Sequence, residues 1–174
     1  MNINKVTIGD KVPDEFNVVI EISANSTPVK YEMDKESGAI FIDRFLGTNM
    51  PYPANYGFIP HTLSEDGDPT DVIVITPFPA VTSCIIKCRA IGLLKMEDES
   101  GIDFKIIAVP VNKVCPLYSN IKQLNDLPEL FINQIKFFFE NYKSLEPNKW
   151  VKVSGWEDAE FAKNEILQSI ARYN

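Results

Sequence analysis

The sequence predicts a mainly β fold with flanking helices: a small closed β-barrel with two principal C-terminal helices packed outside it. Three observations carry this. Short runs of alternating apolar and polar residues fill the first two-thirds of the 174 residues. Turn-forming residues separate those runs about every eight to twelve positions. The last third changes to the three- and four-residue spacing of amphipathic helices. An open doubly wound sheet would need helical periodicity between the strands, and none is seen there.

The elements follow in order. Val18, Ile20 and Ile22 alternate with Val19 and Glu21, which predicts a strand with Glu21 on the face opposite the apolar one. After the turn Asn25-Ser26-Thr27-Pro28, the stretch Lys30 to Asp34 places Lys30, Glu32 and Asp34 on one face and Tyr31 and Met33 on the other. The turn Lys35-Glu36-Ser37-Gly38 leads to a third strand, Ala39 to Arg44, and the three are expected to form a meander. Met50 to Phe58 holds too many Pro and Gly for a regular interior strand and reads as a rigid extended wall bearing Tyr52 and Tyr56. Val72 to Thr76 and Ile85 to Met96 read as core strands, and Glu97-Asp98-Glu99-Ser100-Gly101 as the acidic tip of a hairpin leading to the strand Phe104 to Val109. Leu127, Phe131, Ile135, Phe138 and Tyr142 mark a helix from about Pro128 to Leu145. A short strand, Trp150 to Val153, precedes Gly155-Trp156, and Ala162, Ile166, Ile170 and Tyr173 mark a last helix from about Asp158 to Tyr173. Without repeats, low-complexity tracts or linkers, residues 1–174 are expected to form one domain.

Composition narrows the function. Lys and Arg number 17 against 24 Asp and Glu, a net charge of -7, which disfavours general affinity for nucleic acid or an anionic membrane. No apolar run approaches the roughly 20 residues of a membrane span, and Met1 to Lys5 lacks the apolar centre of a signal peptide, so a cytoplasmic location is expected. Cys84 and Cys88 lie roughly 13 Å apart in extended chain, too far for a bridge. Buried free thiols are expected of them and of Cys115. The single histidine, His61, leaves most zinc-ligand sets incomplete and gives a Ser-His-Asp triad only one candidate base.

The most informative segment is Asp66-Gly67-Asp68-Pro69-Thr70-Asp71. Flexibility at Gly67 and a fixed φ at Pro69 let three nearby carboxylates aim at one point, where their repulsion needs a cation to offset it. Hard oxygen donors so placed suit a divalent ion. An EF-hand loop is excluded, since Gly stands second rather than sixth and Pro77 holds the twelfth place. Taken alone, such a turn reads as a solvated acidic loop, and Lys30, Lys105 and Lys143 taken singly read as solvated surface lysines.

The ordered set changes that balance. Glu21, Lys30-Tyr31-Glu32, Asp43-Arg44, Tyr52-Pro53-Ala54-Asn55-Tyr56-Gly57, the acidic hexapeptide, Lys95-Met96 with Asp98, Asp103 with Lys105, and Tyr142-Lys143 occur in one order along the chain. In this the sequence resembles the bacterial type of family I soluble inorganic pyrophosphatases over essentially its whole length. The resemblance implies a five-stranded barrel of the oligonucleotide-binding-fold (OB-fold) type, a homohexamer, and Mg²⁺-dependent hydrolysis of pyrophosphate to two phosphates. It implies that Asp66, Asp71 and Asp103 hold ions that acidify the attacking water, that Asp98 joins Asp103 in holding a further ion, and that Asp68 accepts the proton. Lys30, Arg44, Lys105 and Lys143, with Tyr56 and Tyr142, would receive phosphoryl oxygens, while Glu21, Glu32 and Tyr52 line the cavity.

Thr70 departs from the family signature, which has an aliphatic residue there. Threonine keeps the β-branched shape, but a buried hydroxyl needs a partner. The resulting Asp66-x-Asp68-x-Thr70 spacing resembles haloacid-dehalogenase-like phosphatases with Asp66 as nucleophile, the competing enzyme reading. That class expects an apolar strand before the first Asp, where this chain has His61 to Glu65. A non-catalytic OB-type binding barrel is the third reading, against which the acidic balance speaks.

Overall fold

The computed structural model describes residues 3–174. Among the described residues nine strands and two α-helices form, with short 3-10 turns before and between them: β1 (Phe16–Ile22), β2 (Val29–Met33), β3 (Ile40–Phe45), β4 (Asn55–Phe58), β5 (Asp71–Val74), β6 (Ile85–Asp98), β7 (Gly101–Ile102), β8 (Lys105–Pro110), α1 (Glu129–Asn141), β9 (Val151–Glu157) and α2 (Ala159–Tyr173). Strand pairing runs β1-β4-β5-β8-β6 and returns from β6 to β1, a ring of five strands. Every pairing in the ring is antiparallel except β5 with β8. The 14-residue β6 makes this possible. Its first part pairs with β1 and its last part with β7 and β9, with register shifts between Ala90 and Gly92 and between Lys95 and Met96 that bend it.

Three expectations are corrected. β1 hydrogen-bonds to β4 and β6, while β2 and β3 pair only with each other, so the first three strands are not a meander. The segment expected to be an irregular wall ends in β4, whose four residues are all buried. Gly57 is what permits this: a Cβ there would lie 1.9 Å from the Val19 carbonyl oxygen, so only glycine lets β4 approach β1. Finally, β9 runs through Gly155-Trp156 to Glu157 rather than stopping before them. The acidic hairpin forms as expected, with Glu97 opposite Ile102 and Asp98 opposite Gly101.

Apolar residues cover both faces of the ring. In β8, Ile106 and Ala108 join Phe16, Val18, Ile20, Ala162 and Ile166 on the side of α2. Ile107 and Val109 join Ile22, Ile135, Phe138 and Phe139 on the side of α1. Strands buried on two faces read as continuous apolar runs, and Lys105-Ile-Ile-Ala-Val-Pro110 is buried throughout. Asp158 caps α2 by accepting a hydrogen bond from the Phe161 amide at 2.8 Å.

Burial on both faces also decides the fate of Glu21. Expected opposite the apolar face and at the cavity, it is only 8% exposed and accepts a hydrogen bond from the Met33 amide at 2.8 Å. Burial is the chief cause that pushes its pKa up to about 8, against the lowering effect of the Met33 N–H and with repulsion from Asp71 and Glu32 adding to it.

Two predictions follow from these contacts. Gly57→Ala is expected to cost about 2 kcal/mol or more in urea denaturation, because the contact is with backbone that cannot swing aside; a loss within about 0.5 kcal/mol would show the strand approach to be soft. Between the ordinary carboxyl value of 4.5 and about 8 the folded protein keeps the Glu21 proton that the unfolded chain has released, so this group makes stability fall as pH rises through that window. In chelator, Glu21→Gln should flatten the decline, and an unchanged slope would assign it to other groups.

Candidate active site

Topology brings the charged residues to one rim. Because β5 and β8 run parallel with Asp71 opposite Lys105, both strands begin at the same end of the ring. The acidic turn leads into β5, the β6–β7 hairpin delivers Asp98, and Asp103 follows β7 with its amide bonded to the Met96 carbonyl at 2.9 Å. The turn is internally tied. Gly67 adopts φ +92°, the Ser64 amide donates to the Asp68 carbonyl at 2.7 Å, and the Asp68 amide donates to Asp66 Oδ1 at 3.1 Å. The buried Thr70 finds its partners: its amide donates to Thr62 Oγ1 at 2.9 Å and its hydroxyl accepts from Ser64 Oγ at 3.3 Å.

The result is a polar groove of about 160 Å³ lined by Lys30, Arg44, Tyr56, Asp66, Asp68, Asp71, Asp98, Glu99, Ser100, Asp103, Lys105, Tyr142, Lys143 and Lys149. A second lobe of about 100 Å³ shares Lys30, Tyr56, Asp68 and Asp71 and adds Glu21, Glu32 and Lys35. Tyr52 is the exception among the expected residues. At 2% exposure it packs behind the wall, 5.1 Å from the Tyr56 ring and 6.4 Å from that of Tyr142, and supports the cavity rather than lining it.

Cations stand between the carboxylates. Lys105, 3% exposed, pairs with Asp71 and Asp103 and donates to Tyr56 Oη at 3.3 Å. Lys143, 4% exposed, reaches Asp98 Oδ2 at 2.7 Å and Glu99 Oε2 at 3.2 Å. Arg44 donates from Nε to Glu146 Oε1 at 3.0 Å and from Nη1 to Asp43 Oδ2 at 2.6 Å. Lys30 pairs with Glu32 on its own strand. Among the described residues no three carboxylates already meet as a ready-made metal cage. Lys105 and Lys143 supply positive charge to those oxygens.

The electrostatics agree with this. Burial alone would discharge Lys105, but Asp103 and Asp71 outweigh it and hold its pKa well above the ordinary lysine value. Burial raises Asp103, which Lys105 opposes and Asp71 reinforces, and burial likewise raises Asp66. Tyr56 and Tyr142 are pushed up chiefly by burial and remain hydroxyl donors at neutral pH. At Glu99, hydrogen bonds from Lys149 and Lys143 overcome a burial penalty and lower the pKa.

Sequence patterning gives Lys35, Glu99, Glu146 and Lys149 no place at the site, and gives Asp43 one only as the neighbour of Arg44. Glu99 had a local signal, being next to Asp98 in an acidic turn. Lys35, at the tip of the β2–β3 ribbon, reaches Asp68 Oδ1 at 3.2 Å, and Lys149 reaches Glu99 Oε1 at 2.6 Å. Those contacts join segments distant in sequence, and no spacing rule exposes them.

The chain is similar over nearly its whole length to known proteins. The model of the family described as inorganic pyrophosphatase matches residues 18–174. The inorganic pyrophosphatase of Ralstonia nicotianae is 56% identical over 173 residues, 99% of both chains, and that of Escherichia coli is 56% identical over 172 residues, 99% of this chain and 98% of that one. Among solved structures, an inorganic pyrophosphatase from Coxiella burnetii superposes with a TM-score of 0.94 at 54% identity, covering 97% of this chain and 100% of the other. The enzyme from Thermus thermophilus gives 0.93 at 43% identity, with 99% of each chain covered. On sequence, topology and superposition alike, the chain belongs to the inorganic pyrophosphatase family.

Proposed function

We propose that the protein hydrolyses inorganic pyrophosphate to two phosphates with Mg²⁺ as cofactor, by direct attack of water on phosphorus. The observation that carries this reading is one groove in which Asp66, Asp68, Asp71, Asp98 and Asp103 face Lys30, Arg44, Lys105 and Lys143. Neither half suffices alone. Anionic pyrophosphate is repelled by the acids, and the acids repel one another.

The donor set fits Mg²⁺. It offers hard carboxylate oxygens from the acidic turn, β5, β6 and the segment after β7, and an ammonium already sits between Asp71 and Asp103. Asp66, Asp71, Asp98 and Asp103 would hold the ions. Bound there, Mg²⁺ supplies charge neutralisation for the substrate and makes water a stronger acid.

The protein's own groups complete the chemistry. Asp68 has a side chain 75% exposed to the groove and is suited to take the proton as water oxygen bonds to one phosphorus and the bridging P–O bond breaks. Arg44, already held at two points, suits fork-like binding of a phosphate. Lys30, Lys105 and Lys143 add point charges. Tyr56 and Tyr142 donate hydrogen bonds without adding charge, and the ring stack of Tyr142 on Phe138 at 5.2 Å fixes where that hydroxyl points. Glu21 and Glu32 border the adjoining lobe.

The competing nucleophile reading loses its structural support. Thr70 is buried and turned toward Thr62 and Ser64, and the acidic turn sits in a closed ring instead of an open sheet. A passive binding barrel leaves the groove's opposed charges without a task. Among the described residues no helix is long and apolar enough to cross a membrane, which is compatible with the cytoplasmic location we propose. The exposed Phe41, Phe45, Phe78 and Leu130 support assembly, proposed here as a homohexamer and readable by light scattering.

Phosphate release from pyrophosphate should require Mg²⁺ and vanish in chelator; turnover that persists without metal would overturn the metal reading. Oxygen-18 from water should enter product phosphate directly, whereas a trapped aspartyl-phosphate would restore Asp66 as nucleophile. For Asp68→Asn, kcat is expected to fall by roughly 10²- to 10⁴-fold with the fold intact. Wild-type turnover in that variant would take the proton-acceptor role from Asp68.

A further inference from the structure

The acidic turn is anchored from outside by the last turn of α2, far along the sequence. Leu63, three residues before Asp66, is held at both backbone polar groups: its amide donates to the Ser169 carbonyl at 2.9 Å, and its carbonyl accepts from Arg172 Nε at 2.8 Å. Arg172 is fixed by pairing through Nη2 with Glu165, one of the few buried acids, whose side chain is 10% exposed. His61 adds a third tie, with Nε2 at 3.0 Å from the Val6 carbonyl and its ring edge-on to Tyr173 at 5.5 Å.

This anchoring bears on the carboxylates because hydrogen bonds tie residues 62–70 to one another. Thr62 Oγ1 donates to the Ile59 carbonyl at 2.6 Å and accepts from the Thr70 amide, while Ser64 bonds to Asp68 through its amide and to Thr70 through its hydroxyl. A displacement at Leu63 is therefore passed to Asp66 and Asp68. We propose that Arg172, oriented by Glu165, is a positioning residue that sets the acidic turn for divalent-cation binding. The inference rests on the metal-binding half of the function above. Arginine suits the task because one planar fork spans Leu63 and Glu165 together; a lysine ammonium meets both far less well.

Isothermal titration of the intact protein with Mn²⁺ tests this, alongside hydrogen exchange over residues 62–71. Arg172→Leu is expected to weaken Mn²⁺ binding about tenfold and to speed exchange in that segment, with kcat at saturating Mg²⁺ within about threefold of wild type. Arg172→Lys should fall between the two. Should Arg172→Leu fail to fold, Glu165→Gln, which loosens the same fork while keeping its shape, is expected to weaken Mn²⁺ binding about threefold. Unchanged Mn²⁺ affinity in the folded variants, whatever their stability, overturns the proposal and leaves Arg172 a merely structural residue. A wild-type protein that binds Mn²⁺, loses affinity in these variants and yet fails to cleave pyrophosphate would overturn the function and keep the clamp.

Discussion

Repulsion among carboxylates crowded at one rim of the ring is the constraint around which this structure is arranged. Asp66, Asp71 and Asp103 lie in partly or largely dehydrated positions where like charges are costly. Lys105 answers that cost from within the wall, buried between two of them and beneath Tyr56. A buried ammonium is tolerable only with such partners, and acids so placed are tolerable only with such a cation. Each makes the other possible.

Closing the ring puts these groups in place. The single parallel pairing starts β5 and β8 at the same end, and the long β6 carries the acidic hairpin to that end. Behind the wall, Tyr52, Phe138 and Phe139 pack with the groove-lining Tyr142, mostly tilted or edge-on, with ring centroids 4.5 to 6.4 Å apart. Packing energy thus fixes the hydroxyls at the groove's edge, an arrangement that favours a rigid site over a flexible one. The same helix, α1, ends at the capping Tyr142, immediately before Lys143, so one element aims both a donor and a charge.

Much of this was legible in the amino-acid sequence because it depends on local signals. The turn chemistry of Asp66-Gly67-Asp68-Pro69, the three- and four-residue spacing of Ile135, Phe138 and Tyr142, and the apolar run of β8 each report on their neighbours in the chain. The order of acids, bases and tyrosines then pointed to a family. What escaped depends on contacts between distant segments. Strand alternation put Glu21 opposite the apolar face, but nothing local records that β2 covers it there. The Pro and Gly content of residues 50–58 concealed β4, whose Gly57 serves a close backbone approach and not a break. Tyr52 could be placed near the site but not behind its wall, because two tyrosines in one extended segment look alike until the helix that packs on one of them is known. Lys35 and Glu146 are ordinary surface charges until folding sets them opposite Asp68 and Arg44.

The separateness of the β2–β3 ribbon has a mechanical side. Lys30, Glu32 and Arg44 ride on a two-stranded ladder bonded to itself, whereas the acids belong to the ring. Side-chain ion pairs, Lys35 with Asp68 and Arg44 with Glu146, link the ladder across to the acidic turn and to the segment after α1. Such links are weak individually and rearrange without breaking a sheet. Burial supplies what the sheet does not: Met33 of the ribbon packs against Val19 and Phe58 of the ring and its amide bonds Glu21, so two ladders with no shared strand pairing are seated on each other by a small apolar cluster.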